Sequence, residues 1–303
     1  MILVILYQTL QQKEIGIRFL ITELRKVSIQ EYVYQIISVI LLLFVNWGCE
    51  AKKWQILIKR IETITFTDAY QSVLVGLSLG FITPANLGDY AGKILRLNSQ
   101  KRLEGIGYII LGNGVQFYVA LLFGAVSYLQ LFTKKVESMD KVIFIFLLFL
   151  IGLGIFVYLK RFNLIKYVSK FRIFHKYQNH LNALNSFDSS EFQSVFFWAI
   201  LRYLTFSLQF VLVLQIFRIN MLLVDLLAVS CLVFLFKTII PSVNFVSDLG
   251  VRELSAMHFF KIYSVNMDSV ITATFALWLL NILLPVLVGA GLFLKLSISA
   301  RKI

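Results

Sequence analysis

Five long apolar runs constrain this chain more than any other feature. They cover residues 32–47, 106–132, 142–159, 195–217 and 270–296. A helix needs roughly 20 apolar residues to cross a bilayer, and tilt accommodates moderate differences in length. Hydrophobic residues make up 59% of the chain and charged residues 15%, and no polar stretch is long enough for a soluble domain. We therefore predict an all-α polytopic membrane protein, with about five to seven transmembrane helices in a single membrane domain over residues 1–303.

Two further apolar runs, 69–83 and 222–240, each end at a proline. Pro84 and Pro241 lack a backbone donor and disfavour helix in the residue before them. Because turn-forming residues follow, each segment is predicted to be a proline-broken re-entrant helical hairpin. Broken backbone at membrane depth persists only where protein buries it or a water-filled cavity meets it. Paired broken segments in the two halves of a transporter indicate a substrate site.

The two breaks share a pattern of polar residues. After the first proline come Asn86, Gly88, Asp89, Lys93 and Arg96, and after the second come Asn244, Ser247, Asp248, Gly250, Arg252 and Glu253. In each segment a basic residue follows the aspartate by four positions, which places both charges on one face of a helix. Asn86 and Ser247 are expected to cap the returning half-helices. The similarity predicts an inverted repeat.

Basic residues lie mostly on one side of the membrane if neither hairpin crosses it. Most lysines and arginines then fall in the loops 51–65, 93–104 and 160–193 and at the C-terminus. Positively charged loops favour the cytoplasmic side, so we predict a multi-pass protein of the bacterial cytoplasmic (inner) membrane. The same loops account for the net charge of +13, and no motif suggests binding to nucleic acid.

The N-terminal segment 1–30 begins with about ten apolar residues, too few to cross a bilayer. A truncated first helix and an interfacial segment are the alternatives. Cys49 and Cys231 have no CxxC spacing, and the three histidines are scattered, so we predict no metal site and no cofactor. No nucleophile is paired with a base, and no nucleotide-binding loop is present. We therefore expect no enzymatic activity and no catalytic residue. The oligomeric state stays open.

In the order of its motifs the chain resembles the flippase-like membrane region of bacterial lysylphosphatidylglycerol synthases. The matching motifs are Lys53-Trp54, then Val75-Gly76 running into Pro84, Gly88 and Asp89, and finally Pro241 followed by Gly250, Val251, Arg252 and Glu253. Asp89 stands where the family more often has glutamate, and the double glycine after Pro241 is absent. The resemblance implies a polytopic protein that moves a lipid or a lipid-linked molecule between leaflets. Without the family's aminoacyl-transferase domain, lysyl transfer is not expected.

The predicted substrate-binding residues are polar or charged groups at the two breaks, together with Arg202 inside a predicted crossing helix. Arg252 and Glu253 rank first, because a charge at membrane depth is costly and usually functional. The structural alternative is that Arg252 pairs with Asp248 or Glu253 to hold the hairpin. Arg202 has Asp89 and Glu50 as alternative partners. The residues predicted to bind substrate are Asn86, Gly88, Asp89, Lys93, Arg96, Arg202, Asn244, Ser247, Asp248, Gly250, Arg252 and Glu253, with Pro84 and Pro241 as structural breaks.

The leading functional hypothesis is a translocator of a membrane lipid with an anionic headgroup or of a lipid-linked glycan. Half-helix N-termini at the breaks and Arg252 would hold the anion while the tails stay in the bilayer. The alternative is a non-transporting membrane partner or scaffold for a lipid-modifying glycosyltransferase or synthase. That enzyme would dock on the basic, aromatic loop 160–193.

Overall fold

A computed structural model describes residues 29–99, 102–132, 138–168, 188–240 and 245–300, and among these residues every regular element is helical. The α-helices are α1 (Ile29–Ile58), α2 (Phe66–Ile82), α3 (Leu87–Leu95), α4 (Gly105–Phe132), α5 (Ser138–Val168), α6 (Ser189–Ile216), α7 (Leu223–Ile239), α8 (Phe245–Phe260), α9 (Met267–Trp278) and α10 (Leu284–Ala300). A π-helical segment, Leu279–Leu283, joins α9 to α10. The all-α prediction is confirmed.

All five predicted crossing segments are helices long and apolar enough to span a membrane. They cover Gln30–Ile58, Arg102–Leu131, Lys141–Lys160, Ser189–Ile216 and Met267–Lys295. Their apolar side chains divide between the interior of the bundle and its outer surface. Helix α5 is the most peripheral of the five, because only 6% of its most apolar window is buried inside the protein. An outward-facing apolar surface of this kind is what a lipid environment accommodates.

Helices α1 and α6 run antiparallel and define the two ends of the bundle. Gln209 donates to the carbonyl of Val39 over 2.8 Å near the middle of the pair. At one end Arg60 pairs with Glu191 over 2.6 Å. We call this the basic end, because Lys59, Arg96 and Arg102 lie there as well. The opposite end is the one at which Arg218 meets Glu31 over 3.4 Å.

The first hairpin, α2–α3, begins and ends at the basic end. Helix α2 starts at the cap of Thr65, whose hydroxyl accepts the Asp68 N–H over 3.1 Å. At the base of the hairpin Arg96 reaches back to Asp68 over 3.4 Å. The helices touch at glycines: a Cβ on Gly92 would lie 2.5 Å from the Cα of Gly76. The predicted helical hairpin is confirmed for this segment.

The tip of the first hairpin turns through left-handed backbone. Ala85 and Asn86 have φ values of 50° and 56°. Asn86 occupies the N-cap position of α3 but its side chain makes no capping hydrogen bond. The Thr83 hydroxyl instead accepts the Gly88 N–H over 2.7 Å. The predicted capping by Asn86 is therefore wrong, because its left-handed backbone directs the chain around the turn and Thr83 satisfies the free donor.

The second hairpin, α7–α8, begins and ends at the opposite end of the bundle. Lys237 near the end of α7 faces Asp248 near the start of α8 over 3.1 Å. At the base Tyr263, just beyond α8, donates to Asp225 near the start of α7 over 3.4 Å. Burial, with the Asp225 carboxylate nearby, raises the pKa of Tyr263 to about 12, so its hydroxyl stays a donor at neutral pH. The two hairpins are thus inverted relative to each other.

Some sequence predictions fall partly or wholly outside the described residues. These are the N-terminal segment up to residue 28, the second break at Pro241 and Asn244, and the middle of the loop 160–193. The ends of that loop are helical, because α5 continues to Val168 and α6 begins at Ser189. Helix α6 starts there because Asp188 and Glu191 form a capping box, which satisfies two free backbone N–H groups.

Candidate functional site

The tips of the two hairpins line one cavity of about 450 Å³ in the interior of the bundle. Its volume lies within the usual range for small-molecule sites. Helices α1, α4 and α6 and the π-helical segment complete the wall. The charged residues in the lining are Glu50, Asp89, Lys93, Arg202, Lys237, Asp248 and Arg252. Aromatic side chains separate these charges, among them Trp47, Phe206 and Trp278.

Glu50 on α1 is the centre of the first ion cluster. We call this the Glu50 cluster; it consists of Glu50, Lys53, Asp89, Lys93 and Arg202. The Glu50 carboxylate lies 2.7 Å from Lys53 Nζ, 2.7 Å from Arg202 Nη1 and 3.2 Å from Lys93 Nζ. Lys93 also contacts Asp89 over 3.0 Å. The cluster therefore connects the first hairpin to α1 and α6.

The second ion cluster lies within the second hairpin. Asp248 contacts Arg252 over 3.0 Å and Lys237 over 3.1 Å. We call these three residues the Asp248 cluster. The Arg252 guanidinium also lies over the Phe206 ring of α6, 5.6 Å from its centroid. That cation–π contact is a direct contact between this cluster and the crossing helices.

A chain of buried amides lies beside the cavity. Asn281 in the π-helical segment donates to Gln209 over 2.7 Å and accepts from Asn46 over 3.2 Å. The Trp47 indole donates to the Asn281 carbonyl over 3.2 Å. A π-helical turn displaces backbone carbonyls from the regular α-helical pattern, and such turns are frequent at functional sites. Here the displaced carbonyl is bonded to α1, so the cavity wall is fixed by hydrogen bonds rather than by apolar packing alone.

Six of the residues predicted to bind substrate lie together in the cavity wall. They are Asn86, Asp89, Lys93, Arg202, Asp248 and Arg252. Both aspartates pair with the basic residue four positions later, as the spacing indicated. Arg202 pairs with Glu50 rather than with Asp89, and Arg252 pairs with Asp248 rather than with Glu253. Whether these residues contact a substrate stays a prediction.

Four other predicted residues do not line the cavity. Arg96 lies at the basic end with Asp68. Gly88 packs where a Cβ would meet the backbone carbonyl of Leu79, so its role is close helix contact. Gly250 and Glu253 are buried within α8, away from the lining. Asn244 and the Ser247 side chain lie outside the described residues.

Several residues of the site were not predicted to bind substrate. Glu50, Lys237 and Trp278 line the cavity. Lys53 is fully buried behind the lining, where its ammonium also donates to Gln116 over 3.2 Å. The sequence does contain one signal for Glu50 and Lys53. Both are charged residues in the last part of an otherwise apolar crossing helix, where charge is costly unless it is paired.

This fold and this cavity define a class of polytopic helical membrane protein in which two inverted helical hairpins line a charged cavity. A family model described as the lysylphosphatidylglycerol synthase TM region matches residues 1–289, and the chain belongs to that family. The resemblance seen in the motifs is thereby confirmed, and it places the chain among membrane proteins of lipid-related function. A search of curated proteins and a search of solved structures each gave no significant match.

Proposed function

We propose that this protein translocates a membrane lipid, or a lipid-linked glycan, whose headgroup is anionic. The observation that supports the proposal is that two hairpins of opposite orientation both reach the same cavity. Movement of the first hairpin would open the cavity toward the basic end, and movement of the second would open it toward the opposite end. Inverted broken helices around a shared site are the usual arrangement for alternating access.

The charges of the cavity support an anionic headgroup. Four basic side chains line it, against three carboxylates. Arg202 and Arg252 suit phosphate recognition, because a guanidinium offers two parallel N–H donors to an anion. Each guanidinium keeps donors beyond those used for its carboxylate: among the described residues Arg202 donates one hydrogen bond, from Nη1, and Arg252 one, from Nε, and each also lies over an aromatic ring. The proposal requires no covalent step, so we propose transport without enzymatic activity.

The distribution of basic residues supports an orientation in the bacterial cytoplasmic membrane. Lys59, Arg60, Arg96 and Arg102 lie together at the basic end of the bundle. Positively charged loops are retained on the cytoplasmic side of such membranes. We therefore propose that the first hairpin opens toward the cytoplasm and the second toward the exterior.

A liposome assay with fluorescent lipid tests this function. The purified protein is reconstituted into liposomes that contain phosphatidylglycerol labelled on its acyl chain, and a membrane-impermeant reductant quenches the probe in the outer leaflet. We expect the protein to expose the inner-leaflet probe faster than in empty liposomes. Arg252→Gln should slow this exposure strongly, because it removes a cation from the cavity.

Arg60→Gln is the matched control. It also removes an arginine that is paired with a carboxylate, but Arg60 lies at the basic end outside the cavity. It should move lipid at the wild-type rate. A folded Arg252→Gln protein with wild-type rate would contradict the proposal. Function lost only on substitution of the loop 160–193, with no effect at Arg252, would favour the docking alternative.

A further inference from the structure

We propose that the headgroup held in this cavity carries two negative charges, as a phosphomonoester or a diphosphate does. This inference rests on the translocation proposed above and narrows its substrate class. It starts from a count of formal charges in each ion cluster. The Glu50 cluster contains three cations and two carboxylates, which leaves one positive charge. The Asp248 cluster contains two cations and one carboxylate, which also leaves one.

The two excess charges belong to clusters that reach the cavity from different elements; in the Glu50 cluster, Lys53 lies buried behind the residues that line the cavity. The Glu50 cluster joins α1, α3 and α6, whereas the Asp248 cluster joins α7 and α8. Uncompensated charge is unfavourable in a low-dielectric interior. A dianionic headgroup provides one negative charge for each cluster. A phosphodiester with a single negative charge leaves one cluster uncompensated. A zwitterionic headgroup adds its own cation to a site in which cations already outnumber carboxylates.

Unused hydrogen-bond donors form the second line of evidence. A guanidinium has five N–H donors. Arg252 is 5% exposed, and within the described part of the chain only its Nε has an acceptor, which is Asp248. Among the described residues Arg202 likewise donates from Nη1 alone, toward Glu50. The indole N–H of Trp278, another lining residue, is buried and has no acceptor among the described residues.

These free donors belong to different elements around the cavity: Arg202 to α6, Arg252 to α8 and Trp278 to α9. A phosphomonoester or a diphosphate has enough terminal oxygens to accept from several directions at once. A phosphodiester has only two unesterified oxygens on its phosphorus. The donor arrangement and the charge count therefore favour the same chemical class.

The test compares three lipids with identical acyl chains and the same acyl-chain fluorophore: phosphatidic acid, phosphatidylglycerol and phosphatidylcholine. The liposomes are kept at mildly alkaline pH, where the phosphomonoester of phosphatidic acid carries its second charge. We expect phosphatidic acid to be moved about tenfold faster than phosphatidylglycerol, since one additional charged contact in a buried site contributes that much or more. Lowering the pH through the second ionisation of the phosphomonoester should remove this advantage.

Two variants and one soluble competitor complete the test. Lys237→Gln removes the excess charge of the Asp248 cluster and should equalise the rates for phosphatidic acid and phosphatidylglycerol, whereas Arg60→Gln should keep the difference. Inorganic pyrophosphate inside and outside the liposomes should slow the movement of phosphatidic acid. Pyrophosphate that binds the protein without slowing lipid movement would contradict a shared site.

The outcomes separate this inference from the function on which it rests. Equal rates for phosphatidic acid and phosphatidylglycerol in the wild-type protein would overturn the dianionic headgroup and leave lipid translocation standing. Movement of none of the three lipids above the rate of empty liposomes, with pyrophosphate still bound, would assign the cavity to a soluble anion and overturn both proposals.

Discussion

The two re-entrant hairpins have similar sequence patterns but differ in how they are fixed to the bundle. In the first hairpin Lys93 contacts Asp89 of its own helix and also Glu50 of α1. In the second hairpin the partners of Asp248 among the described residues are Lys237 and Arg252, which belong to the same hairpin. Its charged residues contact the crossing helices through the Phe206 ring, which lies under Arg252, and through Gln130 of α4, which donates to Asp225 over 3.5 Å.

The packing between the two helices of a hairpin also differs between the first hairpin and the second. Helices α2 and α3 touch through glycines, so their backbones approach closely. Helices α7 and α8 are separated by larger side chains, such as Phe236 and Phe259, whose rings meet edge to face at 4.9 Å. The first hairpin is therefore tied to the bundle by ion pairs, whereas the described ion pairs of the second lie within the hairpin. This difference predicts that the second hairpin moves relative to the bundle more readily than the first.

The largest effect is expected for Glu50→Gln, which would test whether the first hairpin depends on α1. The change leaves Lys53, Lys93 and Arg202 without their shared counter-charge in a buried site. Removal of one partner from a buried ion pair typically costs about 3–5 kcal/mol of unfolding free energy. Thermal unfolding of the detergent-solubilised protein measures this loss. Glu191→Gln is the control and should cost less than about 1 kcal/mol, because the pair of Glu191 with Arg60 is partly exposed.

Next in size is Gly92→Ala, which tests the close backbone contact of the first hairpin. The new methyl group would lie 2.5 Å from the Cα of Gly76, so the helices must separate. Overpacking of this kind costs about 1–3 kcal/mol. Gly114→Ala makes the same chemical change in α4, where no atom lies within 4 Å of the added carbon. The same unfolding assay should show equal or higher stability for Gly114→Ala, and equal losses in both variants would contradict the glycine contact.

Asp248→Asn and Asp89→Asn compare the ion clusters directly. Asp248 is the carboxylate that both Lys237 and Arg252 contact, so its loss should cost about 2 kcal/mol. Asp89→Asn should lower the unfolding free energy less, because Lys93 retains its ion pair with Glu50 over 3.2 Å. The difference in unfolding temperature between the two variants checks this order. A larger loss for Asp89→Asn would contradict the role of Glu50 as the counter-charge that remains for Lys93.

The smallest effect concerns the tip of the first hairpin. Thr83→Val removes the hydroxyl that accepts the Gly88 N–H and should cost about 1 kcal/mol, as loss of a helix cap usually does. Asn86→Gly should leave stability unchanged, because the Asn86 side chain makes no capping bond and glycine adopts its φ of 56° without strain. A greater loss of stability for Asn86→Gly than for Thr83→Val in the unfolding assay would indicate that the Asn86 side chain caps α3.

Much of the fold could be predicted because its determinants are local in sequence. The crossing helices follow from the length of apolar runs, and the break after α2 follows from Pro84 and the turn formers after it. The pairs Asp89–Lys93 and Asp248–Arg252 follow from helical periodicity, since residues four apart share a face. Periodicity also explains why Glu253 does not line the cavity: it is adjacent to Arg252 in sequence but about 100° around the helix from it.

The rest of the site depends on contacts between distant parts of the chain. No local signal pairs Glu50 with Arg202, and none indicates that the π-helical turn at Asn281 is bonded to α1. Closeness to Asp89 in sequence predicts that Arg96 lies in the site. Seven residues of helix span about 10 Å, however, which carries Arg96 toward the basic end and away from the tip.

The most direct test of the central claim is the side of the membrane at which each hairpin begins and ends. Single cysteines are introduced as Thr63→Cys and Asn98→Cys before and after the first hairpin, and as Asn220→Cys and Lys261→Cys before and after the second. These four positions are exposed, and the native Cys49 and Cys231, which are buried, are replaced by serine.

Labelling with a membrane-impermeant maleimide in intact cells and in inverted vesicles then reports the side of each cysteine. The structure predicts that positions 63 and 98 react from one side of the membrane and positions 220 and 261 from the other. Labelling of the two positions of either pair from different sides would show that the hairpin crosses the membrane, and would contradict the shared cavity between inverted hairpins.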